Sequence, residues 1–86
     1  MKKKFTDYLI VDGYNVINAW SDLNEMAKVD LEGAREKLNF ILGEYAAFSG
    51  IYTIVVYDAY RVKAHTKREE EIGNLKIVYT KEKQQR

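Results

Sequence analysis

Four apolar residues in unbroken succession, Tyr8-Leu9-Ile10-Val11, are followed at once by Asp12-Gly13. A continuous rather than alternating run predicts a strand buried on both faces, as strands of parallel sheets are. Val16–Trp20 then predicts a short helix, with Asn15 as a candidate N-cap. The strongest pattern comes next. Leu31, Ala34, Leu38, Ile41, Leu42, Tyr45 and Phe48 recur mostly at helical spacing, which predicts an amphipathic helix. Asp30 is placed to cap it and Ser49-Gly50 to stop it. Ile51–Tyr57 is a second continuous strand, again closed by an aspartate, Asp58. The segment from Tyr60 to Gly73 is polar, with a helical stretch expected at Lys67–Ile72, and Leu75–Tyr79 reads as a shorter, more alternating third strand. The order β-α-β-α-β, about three strands, predicts an α/β fold with a mostly parallel sheet, flanking helices and right-handed crossovers.

Composition narrows the class without choosing a function. With 86 residues the chain is one domain at most, and 47% apolar content is enough for a core while excluding a disordered chain. Fourteen basic residues against 13 acidic ones leave a charge of +1, so attraction to nucleic acid has to come from a local patch. The absence of cysteine excludes disulfides, thiolate metal sites and a cysteine nucleophile, and it fits a reducing, cytoplasmic setting. The basic start Met1-Lys2-Lys3-Lys4 leads into an apolar run that Asp12 cuts short, too short for a signal peptide or a membrane span.

The candidate chemistry lies where the strands end. In open parallel sheets ligands bind beyond the carboxyl ends of the strands, and both long strands finish there in an aspartate, Asp12 and Asp58. Two carboxylates on adjacent strands repel unless a proton or cation lies between them, and hard oxygen donors suit Mg²⁺ or Mn²⁺. An aspartate that merely caps a turn or helix is the competing reading for each. Asn15 is open between a helix cap and a group that orients a metal-bound water or a phosphate. Tyr14 and Trp20 are open between base stacking and the core. The basic stretch from Arg61 through Lys63, His65 and Lys67 to Arg68 either holds an RNA backbone or is a solvated loop balanced by Glu69-Glu70-Glu71.

The string Leu9-Ile10-Val11-Asp12-Gly13-Tyr14-Asn15-Val16-Ile17-Asn18-Ala19-Trp20 resembles the opening motif of the NYN domain, and more narrowly its bacterial YacP-like branch. The likeness continues through Asp30-Leu31-Glu32, Ala34–Leu38, Val56–Tyr60 and Gly73–Glu82. It implies a PIN-like fold and metal-dependent endoribonuclease activity on single-stranded RNA or mRNA, linked to translation in the bacterial branch. Carried over to this chain, Asp12 and Asp58 are the metal-binding acids and Asn15 a polar member of the catalytic site. The same likeness makes Arg61 and Lys81 phosphate contacts, joined by Lys63, Lys67 and Arg68 on the basic stretch.

The family pattern runs on after Thr80-Lys81-Glu82 into an acidic segment and further elements, whereas this chain reads Lys83-Gln84-Gln85-Arg86. Residues 1–86 are therefore expected to form the N-terminal part of one NYN/PIN-like domain, with weak or absent catalysis. The Tyr8–Val11 strand is expected at a sheet edge that pairs with a second copy. A non-catalytic RNA- or ribosome-binding module built on Arg61–Arg68 is the competing function. A nucleotide-binding Rossmann half is disfavoured, because Asp12-Gly13-Tyr14-Asn15 lacks the glycine pattern and puts an acid where a pyrophosphate would sit.

Overall fold

A computed structural model describes residues 8–58 and 68–80. Strand β1 (Tyr8–Asp12) leads directly into helices α1 (Gly13–Ala19), α2 (Ser21–Val29) and α3 (Leu31–Ser49). Strands β2 (Tyr52–Tyr57), β3 (Arg68–Ile72) and β4 (Leu75–Tyr79) complete one sheet of order β1-β2-β4-β3. β1 pairs parallel with β2 and β2 parallel with β4, while β3 runs antiparallel beside β4. The α/β class and the parallel centre expected from the pattern are present.

Two local expectations change, and one helix is added. Lys67 lies outside the described residues, but Arg68–Ile72 is a strand and not a helix. Gly73, with φ of 57°, turns the chain tightly so that β3 pairs back on β4. The charges of Glu69, Glu70 and Glu71 resemble a helix surface locally, but all five β3 residues are exposed, so the strand is held by pairing and not by burial. Ser21–Val29, for which the sequence pattern predicts no element, is a helix that buries Leu23 and packs Met26 and Ala27 beside it. Asp12, and not Asn15, caps α1.

The long helix keeps its predicted ends. Asp30 accepts from the Gly33 backbone at 2.9 Å, and Gly50 closes the other end at φ of 76°, a left-handed conformation that glycine adopts without strain. The apolar stripe drifts, however. Ala34, Leu38 and Ala46 are buried with Leu42 packed beside them, whereas Tyr45 and Phe48 are exposed. The buried seam advances by four residues at each step, and the other apolar positions fall on its flank.

The strands were expected to be covered on both faces, and among the described elements helices cover one. Thr53, Val55, Tyr57, Leu75, Ile77 and Tyr79 point into the core against Tyr14, Ile17, Leu23, Ala34 and Leu38. The alternate positions of β2, namely Tyr52, Ile54 and Val56, are half-buried. β1 lies at the sheet edge, with Ile10 69% exposed. An unbroken apolar run therefore does not report here that both faces are covered.

Candidate active site at the carboxyl rim

Asp12 stands where β1 passes into α1, and its Oδ1 accepts from the Asn15 backbone at 3.3 Å. The cap occupies one carboxylate oxygen and leaves the second available. It also removes the cap reading from Asn15, which sits exposed in the first turn of α1 with its amide uncommitted to the helix. Asp58 follows the last residue of β2 and is exposed, and Thr80, just past β4, donates from Oγ1 to Asp58 Oδ1 at 3.4 Å. β1 and β2 are parallel neighbours with Asp12 beside Val56, so Asp58 lies two residues further along the same rim. Strand spacing and rise then put the two α-carbons on the order of 8 Å apart.

A tyrosine floor lies directly below this rim. Tyr57 stacks on Tyr79 with ring centres 5.2 Å apart and meets Tyr14 edge-on at 5.2 Å. The Tyr57 hydroxyl donates to Asn39 Oδ1 at 2.7 Å, and Arg35 Nη1 donates to the Tyr14 hydroxyl at 3.2 Å. Burial pushes the Tyr57 phenol far above its ordinary value, and neighbouring Tyr79 and Tyr14 add to the effect. Burial raises Tyr14 as well, with the Arg35 charge opposing. These phenols are held neutral, as structural groups and not proton carriers. Tyr14 is thus a core residue, 4% exposed, and its base-stacking reading falls. Trp20 is half-exposed at the α1–α2 junction.

Gly13 explains how the rim is assembled. A Cβ built there would lie 2.6 Å from Cδ1 and 2.9 Å from Cζ of Tyr57, inside van der Waals contact. Glycine lets α1 rest on the tyrosine ring, and that contact ties the residue after Asp12 to the residue before Asp58.

Of the basic residues singled out from sequence, Arg61, Lys63, Lys67 and Lys81 lie outside the described residues, as does His65. Arg68 opens β3 beside Tyr79, so it stands at the same end of the sheet as Thr80. Its guanidinium lies 4.0 Å from the Tyr79 ring centre and its Nε reaches Glu70 at 3.3 Å. Thr80 and Arg35 were not singled out by sequence reasoning. Thr80 carried a weak signal, since Tyr79-Thr80 ends its strand as Tyr57-Asp58 ends another.

Two carboxylates and an amide, all exposed and all offering oxygen, fit a hard divalent ion that keeps most of its waters. Among the described residues no group of three or more Asp, Glu, His or Cys converges to hold a metal. The fit is to a hydrated ion on Asp12 and Asp58, not to a closed protein cage.

The model of the YacP-like NYN domain matches residues 9–85. The chain belongs to that family. It is 38% identical over 76 residues to the uncharacterized protein YacP of Bacillus subtilis strain 168, covering 88% of this chain and 44% of the relative. The crystal structure of Rae1 (YacP) from Bacillus subtilis superposes with a TM-score of 0.72 at 38% identity, over 90% of this chain and 44% of that one. A tryptophan-to-leucine variant of Rae1 gives 0.69 at 33% identity, over 92% and 43%. The chain therefore spans less than half the length of the relatives it matches, and the family match over residues 9–85 takes in both Asp12 and Asp58. No helix among the described residues is long and apolar enough to cross a membrane.

Proposed function

We propose that this chain contributes the Asp12–Asp58 half of a metal-dependent endoribonuclease site that cuts single-stranded RNA, mRNA engaged in translation being the substrate in the cytoplasm. The observation that carries the reading is the placement of two aspartates at the carboxyl ends of adjacent parallel strands, in a chain of the YacP-like NYN family. Asp12 and Asp58 would hold Mg²⁺ or Mn²⁺ through one or two carboxylate oxygens each. When bound, such an ion lowers the pKa of a coordinated water and offsets charge on the scissile phosphate. Asn15, one helical turn from Asp12, orients the phosphate or the attacking water by its amide. Thr80 holds Asp58 by the hydroxyl hydrogen bond, fixing one carboxylate oxygen. Arg61, Lys63, Lys67, Arg68 and Lys81 supply the cationic contacts to the RNA backbone.

Two exposed carboxylates make a weak, open ligand set, so slow or undetectable cleavage by these 86 residues alone is expected. The site is best read through metal and RNA together. Mn²⁺ added to the labelled chain should broaden amide resonances around Asp12 and Asp58 selectively, and Asp12→Asn or Asp58→Asn should remove that broadening. Mn²⁺ should also support any cutting of a single-stranded RNA probe, and either variant should abolish it. Diffuse broadening, or cleavage that survives both substitutions, would sink the assignment. The basic run Arg61–Arg68 just after Asp58 supports one other reading, a non-catalytic RNA- or ribosome-binding module. In that case charge reversal at Arg61, Lys63, Lys67 and Arg68 abolishes RNA binding while the aspartates are dispensable.

A further inference from the structure

At the sheet edge opposite β1, an open groove of about 560 Å³ runs between α3 and the β3–β4 hairpin. Phe40 and Ile72 form its two lips, 68% and 61% exposed, and Leu75 lies in its floor. Glu36 and Glu44 on α3 and Glu70 on β3 stand around it, and no lysine or arginine among the described residues lines it. Glu70 is engaged by Arg68, but neither Glu36 nor Glu44 has an ion-pair partner among the described residues. The groove is thus apolar in its floor and lips and negative at its rim. An acidic rim repels phosphate backbones, so it does not extend the RNA-binding reading of the basic stretch.

Gly43 supplies an independent sign that the space is kept open. It sits in the interior of α3, where glycine is a poor helix former. Its φ is not positive, and a Cβ there would meet only Leu75 Cδ2 at an ordinary 3.7 Å. Neither backbone conformation nor packing requires glycine at this point, whereas Gly13 is required by Tyr57. What the missing side chain does is leave room above Leu75, in the middle of the groove.

We propose that this groove docks a basic amphipathic helix of a partner protein. An apolar side chain of that helix seats over Gly43 between Phe40 and Ile72, and its lysines or arginines meet Glu36 and Glu44. Those acids are eight positions apart on α3, about 12 Å at 1.5 Å per residue. Cations two turns apart on a partner helix match that span, with apolar anchors between them, which is the helix-in-groove mode of recognition. Charge complementarity commits the surface to a basic protein segment, and the position at the far edge leaves the rim free while it is bound.

A fluorescent 14-residue helical peptide with leucines on one face, flanked by lysines two turns apart, serves as the probe. An otherwise identical peptide with glutamate for lysine is the charge control. The full 86-residue chain should bind the basic peptide saturably, with amide shifts confined to the surroundings of Phe40, Gly43, Glu44 and Ile72. Gly43→Leu should fill the groove and weaken binding at least tenfold. Phe40→Ala, a substitution at an exposed position that leaves the fold intact, should also weaken it several-fold. Glu25→Lys on α2, away from the groove, should change nothing. The proposal is overturned if the acidic peptide binds equally well, or if the shifts fall elsewhere. It is also overturned if Phe40→Ala and a folded Gly43→Leu both bind like the parent chain, or if single-stranded RNA shifts the same residues.

Discussion

Replacing Gly13 with alanine tests whether the tyrosine floor sets the geometry of the rim. The added methyl would enter the Tyr57 ring, 2.6 Å from Cδ1 and 2.9 Å from Cζ. The ring has little freedom to retreat. It is fully buried, stacked on Tyr79, and tied by its hydroxyl to Asn39 and to the Arg35 carbonyl. Helix α1 or the ring must move, and overpacking of this kind costs about 1–3 kcal/mol. A displaced hydroxyl adds roughly 0.5–1.5 kcal/mol for each hydrogen bond lost. Against this, alanine in a helix gains about 0.5–1 kcal/mol over glycine, and less at the first position. Packing therefore wins, with a net loss of about 1–3 kcal/mol, or roughly 5–15 °C in melting temperature for a domain of this size. Thermal unfolding followed by circular dichroism measures it, with Gly43→Ala as the opposite control. There the methyl makes ordinary contact, and a gain of about 0.5–1 kcal/mol is expected. In the double variant with Tyr57→Leu, the losses should be less than additive, because the smaller side chain vacates the contested space. A Gly13→Ala chain as stable as its parent would refute the argument.

Alkaline titration should find the tyrosine floor. Burial raises Tyr57 and Tyr14 above the ordinary phenol value, so their contribution to stability is intact below about pH 10 and is lost as pH climbs beyond it. Phenolate absorbance should show fewer than the seven tyrosines ionising until the fold gives way, and full titration of a still-folded chain would contradict this. At micromolar concentration the chain should self-associate through β1, whose edge is unpaired among the described strands and whose Ile10 is 69% exposed. Ile10→Lys should shift light scattering toward the monomer, and a parent chain already monodisperse as a monomer would end that idea.

The sequence was most readable where one physical signal acted alone. Tyr8–Val11 and Ile51–Tyr57 are mainly apolar runs bounded by Asp or Gly, Leu75–Tyr79 is a more alternating one that starts after Asn74, and each is a strand within a residue of its expected limits. Asp30 and Gly50 mark the ends of α3 because a cap and a left-handed residue act locally. Where tertiary contacts decided, local pattern failed. Arg68–Ile72 is a strand only because Gly73 turns it back on β4, and Ser21–Val29 is a helix that buries Leu23 and packs Met26 and Ala27 against the core. Covered and uncovered strand faces are indistinguishable in a run such as Ile54-Val55-Val56, since both are apolar. The rim aspartates were legible from strand ends, but their support was not. Thr80, Arg35 and the three packed tyrosines are brought together from four elements and a strand end, and apart from the weak strand-end signal at Thr80 no spacing along the chain announces them.

Asp12 joins the two levels, and this decides how it has to be tested. As the cap of α1 it contributes stability, about 1 kcal/mol on replacement by alanine. As a rim carboxylate it would contribute metal affinity. Asp12→Ala removes both at once, and lost function in that variant would say nothing about chemistry. Asparagine caps a helix as well as aspartate does, so Asp12→Asn keeps α1 in place while removing the charge. Asp58 caps none of the described helices, and Asp58→Asn removes its charge and changes the group that meets the Thr80 hydroxyl. If both variants melt with the parent and both lose Mn²⁺, then the carboxylate charge, and not the fold, holds the ion. If only Asp12→Asn melts early, the cap depends on the carboxylate itself. Any loss of metal by that variant would then have to be judged against Gly13→Ala, which disturbs the same junction without touching a charge.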